Sequence, residues 1–175
     1  MLFRSDSVEF FDIVNEKDEI IGKIRENEQN TVKPSQLRFI NIIVINNDNM
    51  IVVPKRSSNR KLFPNCYDFS VGGHVNSGEN YEEAAYRELK EELGIENVEL
   101  QEVAYFSPYN SDSNTFQKVY LLRYTSEIRE FDRDGIEKIY YKSKKEIKEL
   151  MNEEPNLFKT DYSVVMKYLF DKNYL

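Results

Sequence analysis

Cysteine and histidine are scarce in this 175-residue chain, which has one of each, Cys66 and His74. A single cysteine excludes a disulfide within the chain and is typical of proteins from a reducing compartment. A single histidine excludes any site that needs several imidazole ligands. We therefore expect neither a disulfide framework nor a multi-histidine metal centre, and we expect a cytoplasmic location.

Long apolar runs and an excess of basic charge are also missing. No apolar stretch approaches the roughly 20 residues that cross a bilayer, and the first residues lack the apolar core of a secretion signal. The net charge of −7 argues against a partner such as a nucleic-acid polymer or an anionic membrane, because proteins that bind these have basic surfaces. A small phosphorylated substrate remains compatible, because metal ions screen carboxylates locally.

Alternating and β-branched runs predict the strands of a single domain over residues 1–175. Two runs separated by a polar turn predict an N-terminal β-hairpin at about residues 8–26. Two β-branched runs, at 38–46 and 50–56, are typical of buried central strands. Further strands are predicted at 67–71, 98–106, 116–124 and 136–141, and helices at 144–151 and 161–171. Mixed strands and helices predict an α/β fold.

The stretch from Gly73 to Ile95 contains the densest set of chemically meaningful residues. Asn80, with Glu83 three residues later, predicts the start of a helix, and Gly94 predicts its end. A helix of about 13 residues results.

Three glutamates of this helix, Glu88, Glu91 and Glu92, are spaced to gather on the side opposite Leu89 and Leu93. Like charges at this spacing repel one another by roughly a few tenths of a kcal/mol per pair. Mg²⁺ would remove the repulsion, because this hard cation binds one or two carboxylates together with water and substrate phosphate. The alternative is a solvated, salt-bridged helix face.

The same stretch resembles the Nudix box of the Nudix hydrolase superfamily. Every specified position of the box is matched, by Gly73, Glu79, Arg87, Glu88, Leu89, Glu91, Glu92, Gly94 and Ile95.

The resemblance implies an α/β/α sandwich around a mixed sheet and a Mg²⁺ or Mn²⁺ cofactor. It further implies that Glu88, Glu91 and Glu92 bind the metal, with Glu79 and Gly73 assisting. Arg87 is expected to orient a glutamate through a salt bridge.

From about Asp12 to Ile95 the chain is similar to isopentenyl-diphosphate isomerases and the hydrolases related to them. Those isomerases rely on a cysteine in Cys-Gly-His and on several histidines, whereas this chain has Gly72-Gly73-His74. Cys66 lies six residues too early to substitute, and a buried small apolar role is favoured for it. An isomerase is therefore disfavoured.

We expect a metal-dependent hydrolase of phosphoanhydride bonds in nucleoside di- or triphosphates or related X-linked diphosphates. Glu91 or Glu92 is the first choice for general base, and Glu137 or Glu102 is the alternative from outside the box. A non-catalytic nucleotide-binding or regulatory module is the competing class, and the intact set of glutamates argues against it.

Five residues near the box are candidates for substrate binding. Lys55 and Arg56 end a core strand and either one is placed to meet phosphate. One of Tyr67 and Phe69 is expected to stack on a base while the other packs inward. His74 is either a structural hydrogen-bonding residue or a phosphate contact. The expected partner is a small diphosphate, and a monomer or homodimer is expected.

Overall fold

The computed structural model describes residues 8–175. Residues 1–7, which were considered above for a secretion signal, lie outside the described residues. A hairpin of β1 (Phe10–Val14) and β2 (Ile20–Arg25) precedes the main sheet, as predicted. The main sheet contains β3 (Arg38–Ile45), β4 (Ile51–Arg56), β5 (Val71–His74), β6 (Gln101–Phe106), β7 (Phe116–Arg123) and β8 (Ile136–Lys142). The helices are α1 (Tyr81–Leu93), α2 (Lys144–Glu153) and α3 (Tyr162–Asp171).

The main sheet is mixed, in the order β6-β7-β3-β4-β8, with β5 paired to β3. Strands β3 and β7 are parallel, and the other pairs are antiparallel. Successive side chains of β3 alternate between the two faces. Ile40 and Ile42 pack with α1, whereas Ile43 and Ile45 pack with α2 and α3. Helices on both faces confirm the predicted α/β/α sandwich.

Strands β3 and β4 pair at Ile45 and Ile51 and then separate. Residues 66–74 fill the space between them, since β5 pairs with β3 while the Asp68 N–H donates to the Pro54 carbonyl of β4 at 3.0 Å. At the fork, the Ser70 hydroxyl donates to Val52 O (2.6 Å) and accepts from Val44 N (2.8 Å). This inserted segment, residues 66–74, carries the residues that face α1.

The N-terminal hairpin is fastened to the sandwich through its turn. The Asp18 carboxylate accepts from Arg38 Nε at 2.6 Å, from the Tyr81 hydroxyl at 2.9 Å and from the Tyr105 hydroxyl at 3.1 Å. The backbone of β1 also accepts from Ser77 N at Phe10 O. The hairpin therefore lies beside the loop that leads into α1.

Two strands begin later than the sequence predicts, and one of them is β6, which starts at Gln101 and not at residue 98. A strand was expected at 67–71, but β5 covers Val71–His74, with Tyr67 forming only isolated bridges to Lys55 and Phe158. The cause is tertiary, because residues 66–70 lie at the fork between two diverging strands.

None of the helices within residues 8–175 has both the length and the apolar character that a membrane-spanning helix needs.

We predict that Ser70→Ala destabilises the fold by about 1–3 kcal/mol, because Val44 N and Val52 O lose their buried partner. Denaturant-induced unfolding measures the change. The matched control Ser58→Ala alters an exposed serine and should change stability by less than about 0.5 kcal/mol. Equal effects of the two substitutions would contradict the role given to Ser70.

Candidate active site

Helix α1 has the predicted start and end. The Asn80 side chain accepts from Glu82 N at 2.9 Å and Glu83 N at 3.0 Å, and the Glu83 carboxylate accepts from Asn80 N at 2.8 Å. Gly94 terminates the helix with a left-handed φ of 63°. Both end signals are local, and the sequence alone therefore located this helix.

The position of Glu88 differs from the expectation that three glutamates share an outward face. Glu88 is buried together with Leu89, at 7% exposure, because α1 packs on β5 at a position without a side chain. A Cβ built on Gly73 would lie 2.0 Å from Glu88 Oε1. Gly73 is thus required for close packing of the Glu88 carboxylate against the sheet.

Arg87 connects the carboxylates. Its Nε donates to Glu79 Oε1 at 2.7 Å, its Nη1 to Glu88 Oε1 at 2.7 Å, and its Nη2 to His74 O at 2.9 Å. Glu91 Oε2 lies 3.4 Å from Nη1. Burial alone would lower the pKa of Arg87, but the bonds to Glu79 and the charge of Glu88 raise it above its usual value. The guanidinium therefore stays charged among these acids.

The surroundings of Glu92 disfavour the charged form of its carboxyl. Burial, followed by the charges of Glu88 and Asp68, raises the pKa of Glu92 to about 8. The Gly72 N–H donates to Glu92 Oε2 at 3.3 Å and opposes the shift in part. A buried carboxylate repelled by two others is an arrangement that a cation relieves.

The donor set suits a hydrated divalent cation. Glu88, Glu91 and Glu92 offer only carboxylate oxygens, which are the ligands of Mg²⁺. Within residues 8–175, no group of three Asp, Glu, His or Cys side chains is arranged to hold a metal ion by itself. Mg²⁺ does not need such a group, because it retains several waters and takes further ligands from substrate phosphate.

The two candidate bases from outside the box lie on opposite edge strands. Glu137, on β8, pairs with Lys55 at 2.9 Å. Glu102, on β6, pairs with Lys118 at 2.8 Å. The carboxylates that act electrostatically on Glu92 are instead Glu88 and Asp68. The catalytic roles of Glu137 and Glu102 stay predictions.

Arg56 holds a loop in this structure. Its Nη1 donates to Asp68 Oδ2 at 2.7 Å, its Nη2 to Leu62 O at 2.9 Å and its Nε to Phe63 O at 3.1 Å. Each of the three guanidinium nitrogens therefore has a protein acceptor. A phosphate contact by Arg56 or Lys55 stays a prediction.

Of the two aromatic candidates, Phe69 is the one that packs inward. It is 2% exposed and its ring lies 5.0 Å from that of Tyr162. A substrate contact by Phe69 is therefore contradicted by its burial, because its ring has no free face, and stacking of a base on Tyr67 stays a prediction. Tyr67 is half-buried, edge-on to Tyr140 at 5.6 Å.

His74 packs as a neutral aromatic ring. It is stacked on Phe11 at 4.2 Å and tilted against Phe39 at 4.0 Å. Burial, followed by the charges of Lys159 and Arg87, lowers its pKa to about 3. A neutral imidazole without positive charge is a poor phosphate ligand. His74 is therefore structural through ring packing and not through the expected hydrogen bonding, because its buried Nε2 has no hydrogen-bond partner among the described residues.

Two further residues at the site were missed by sequence analysis, and one expectation nearby was wrong. Asp68 and Lys159 form an ion pair at 3.5 Å beside Gly72. Lys159 comes from the segment before α3, and no motif or spacing relates it to the box. Cys66 was expected to be buried, yet it is partly exposed, with Sγ 3.8 Å from Asn156 O.

Comparison with known proteins shows the family to which this chain belongs. The model of the NUDIX domain family matches residues 36–161. The chain therefore belongs to the Nudix hydrolase family.

Among its relatives is an uncharacterized Nudix hydrolase of Nostoc sp., 38% identical over 135 residues that cover 76% of this chain and 80% of the relative. A Nudix hydrolase of Deinococcus radiodurans is 41% identical over 119 residues, 67% of this chain and 69% of the relative. The crystal structure of DR0079 from Deinococcus radiodurans superposes with a TM-score of 0.84 at 32% identity, covering 91% of this chain and 98% of that one.

We predict that Gly73→Ala lowers metal-dependent turnover by about 100-fold, because displacement of a site group by ~1 Å has effects of this size. Thermal stability should also fall, since the new methyl group would lie 2.2 Å from Cδ and 2.8 Å from Cγ of the buried Glu88 side chain. Steady-state kinetics and thermal unfolding measure the two effects. Gly22→Ala, whose Cβ would meet Ile13 at an ordinary 3.6 Å, is the matched control, and equal turnover in both variants would contradict the prediction.

We also predict a pH dependence of metal-free stability. Folding raises the pKa of Glu92 from 4.5 to about 8, so the folded state binds more protons than the unfolded state in this window. Stability in excess chelator should therefore fall as pH rises through it. Thermal unfolding should show a weaker fall for Glu92→Gln, while exposed Glu99→Gln keeps the wild-type profile. Identical profiles for Glu92→Gln and wild type would refute the assignment.

Proposed function

We propose that the protein is a Mg²⁺- or Mn²⁺-dependent hydrolase that cleaves a phosphoanhydride bond in nucleoside di- or triphosphates or related X-linked diphosphates. The supporting observation is the clustering of Glu88, Glu91 and Glu92 where α1 meets β5, with Arg87 bonded to two of these glutamates. This arrangement concentrates oxygen ligands at one place while one partly buried cation, Arg87, limits their repulsion.

When bound by these glutamates, Mg²⁺ or Mn²⁺ would neutralise phosphate oxygens and would lower the pKa of the attacking water. The chain itself supplies the ligands Glu88, Glu91 and Glu92. Either Glu91 or Glu92 accepts the proton of the water. Arg87 acts as a positioning residue, because it fixes Glu79 and Glu88 relative to the His74 carbonyl.

Two other functions have less support from the residues of the site. Isopentenyl-diphosphate isomerisation needs a cysteine where Gly72 stands and several histidines, and the chain has one histidine. A binding module without turnover is compatible with the fold but does not require three clustered glutamates. Direct assay separates all three functions.

The test is a panel of nucleoside di- and triphosphates, ADP-ribose and isopentenyl diphosphate, assayed with Mg²⁺ or Mn²⁺ for release of phosphate or diphosphate. We expect turnover of at least one diphosphate and its loss in excess chelator. Glu91→Gln and Glu92→Gln should each lower turnover by about 100-fold or more, because one removes the general base and both remove a proposed metal ligand. Exposed Glu99→Gln is the control and should retain wild-type activity.

Turnover that persists in excess chelator would overturn the metal dependence. Binding of nucleotides without any hydrolysis would favour the non-catalytic module. Enzyme-dependent proton exchange into isopentenyl diphosphate, followed by NMR in deuterated buffer, would favour the isomerase.

A further inference from the structure

A surface cleft of about 370 Å³ lies between the loop before β5 and the segment before α3. Its volume falls in the range of small-molecule sites, roughly 300–1,000 Å³. Its walls are both apolar and polar, and include Phe63, Cys66, Asn156, Lys159, Asp161 and Val164. None of these residues belongs to the Nudix box.

The first wall of the cleft is held by Arg56, which donates to the carbonyls of Leu62 and Phe63. Phe63 adopts a left-handed φ of 51° and is 37% exposed. A large aromatic side chain in this backbone conformation is uncommon. The bonds to Arg56 therefore stabilise an aromatic ring at the cleft that the packed core does not use.

The second wall is fixed to the inserted segment by backbone hydrogen bonds. Tyr67 N donates to Leu157 O at 2.6 Å, and Lys159 N donates to Tyr67 O at 2.9 Å. Phe158 is buried, with its ring 4.5 Å from that of Tyr162. This pairing holds the backbone of Lys159 beside the strand that carries the site glycines.

The Lys159 ammonium lies where the cleft meets the carboxylate site. It is 3.5 Å from Asp68 Oδ1 and 3.7 Å from the place a Cβ on Gly72 would occupy. The N–H of the same Gly72 donates to Glu92. Among residues 8–175, Asp68 is the one carboxylate within ion-pair distance of Lys159, and it also pairs with Arg56.

We propose that this cleft binds the organic group of a nucleoside diphosphate, with the Phe63 ring against the base and the Lys159 ammonium on the adjoining phosphate. The assignment rests on the proposed function, because it places the phosphate chain between Lys159 and the glutamates. Lysine suits the position, because its ammonium has three donors and Asp68 engages only one side of it. Phe63 suits a role in stacking, which tolerates different bases.

Cys66 provides a readout that does not depend on turnover. It is the single cysteine of the chain and lines the cleft. We expect Mg²⁺ with saturating ADP, GDP, CDP or UDP to slow alkylation of Cys66 by iodoacetamide by about tenfold or more for at least one of them. Methyl diphosphate, which lacks the nucleoside, should leave the alkylation rate unchanged.

Substitutions separate the two contacts, with affinity measured by calorimetry. Lys159→Met should weaken binding of both nucleoside diphosphate and methyl diphosphate by about tenfold, equivalent to 1.4 kcal/mol. Phe63→Leu should weaken only the nucleoside diphosphate, by about tenfold within the range for base stacking. Lys145→Met, on an 84% exposed side chain of α2, is the matched control and should bind as wild type.

A purely structural role for Lys159 predicts lower thermal stability with unchanged affinity, and that result would overturn the proposal. Should Lys159→Met fail to fold, a substitution of Ser163, which also lines the cleft, tests the same site. Ser163→Trp would fill the cleft, and wild-type affinity in that variant would also overturn the proposal.

The proposal and the proposed function fail in different ways. Hydrolysis with no protection of Cys66 at saturating nucleotide refutes the cleft assignment alone. Protection without hydrolysis supports the cleft and refutes the hydrolase. No binding of any nucleoside diphosphate to the wild type refutes the cleft assignment.

Discussion

The site depends on the hydrogen bonds that the Arg87 guanidinium donates. The guanidinium connects the loop before α1 through Glu79, the helix through Glu88, and β5 through the His74 carbonyl. Without this cation, acidic side chains from the loop and the helix would face one another in partly dehydrated surroundings, where unpaired charge is strongly unfavourable. Arginine suits the position because its fork of donors reaches several acceptors at once while remaining charged.

Stability and function are opposed at Glu92. A partly buried carboxyl whose pKa is raised by desolvation and then by its neighbours contributes nothing favourable to the metal-free fold near neutral pH. The surrounding sandwich, with β3 covered on both faces, supplies the compensating apolar burial. Such local strain at a site, supported by a well-packed scaffold, is common where a ligand is meant to complete the arrangement.

The inserted segment between β3 and β4 connects the two halves of the proposed site. On one side its glycines lie against α1 and admit Glu88 and the Glu92 contact. On the other side Tyr67 pairs with residues 157–159 and brings Lys159 to Asp68. The inserted segment therefore contacts both the glutamates of α1 and the residues that line the cleft, and a fixed arrangement of this kind is what precise positioning of a substrate requires.

The sequence by itself determined the helix of the Nudix box, the hairpin and the central strands, because caps, periodicity and motif spacing are local signals. It also identified the glutamates of the box as the acidic residues of the candidate site. The burial of Glu88, the inward packing of Phe69 and the enclosure of His74 were decided by tertiary structure. Tertiary structure also decided that Lys159 and Phe63 line the same cleft. These features depend on which surfaces meet when α1 packs on β5 and when β3 and β4 diverge. Contacts between segments that are distant in the chain produce no periodic pattern in the sequence, so the sequence does not predict them.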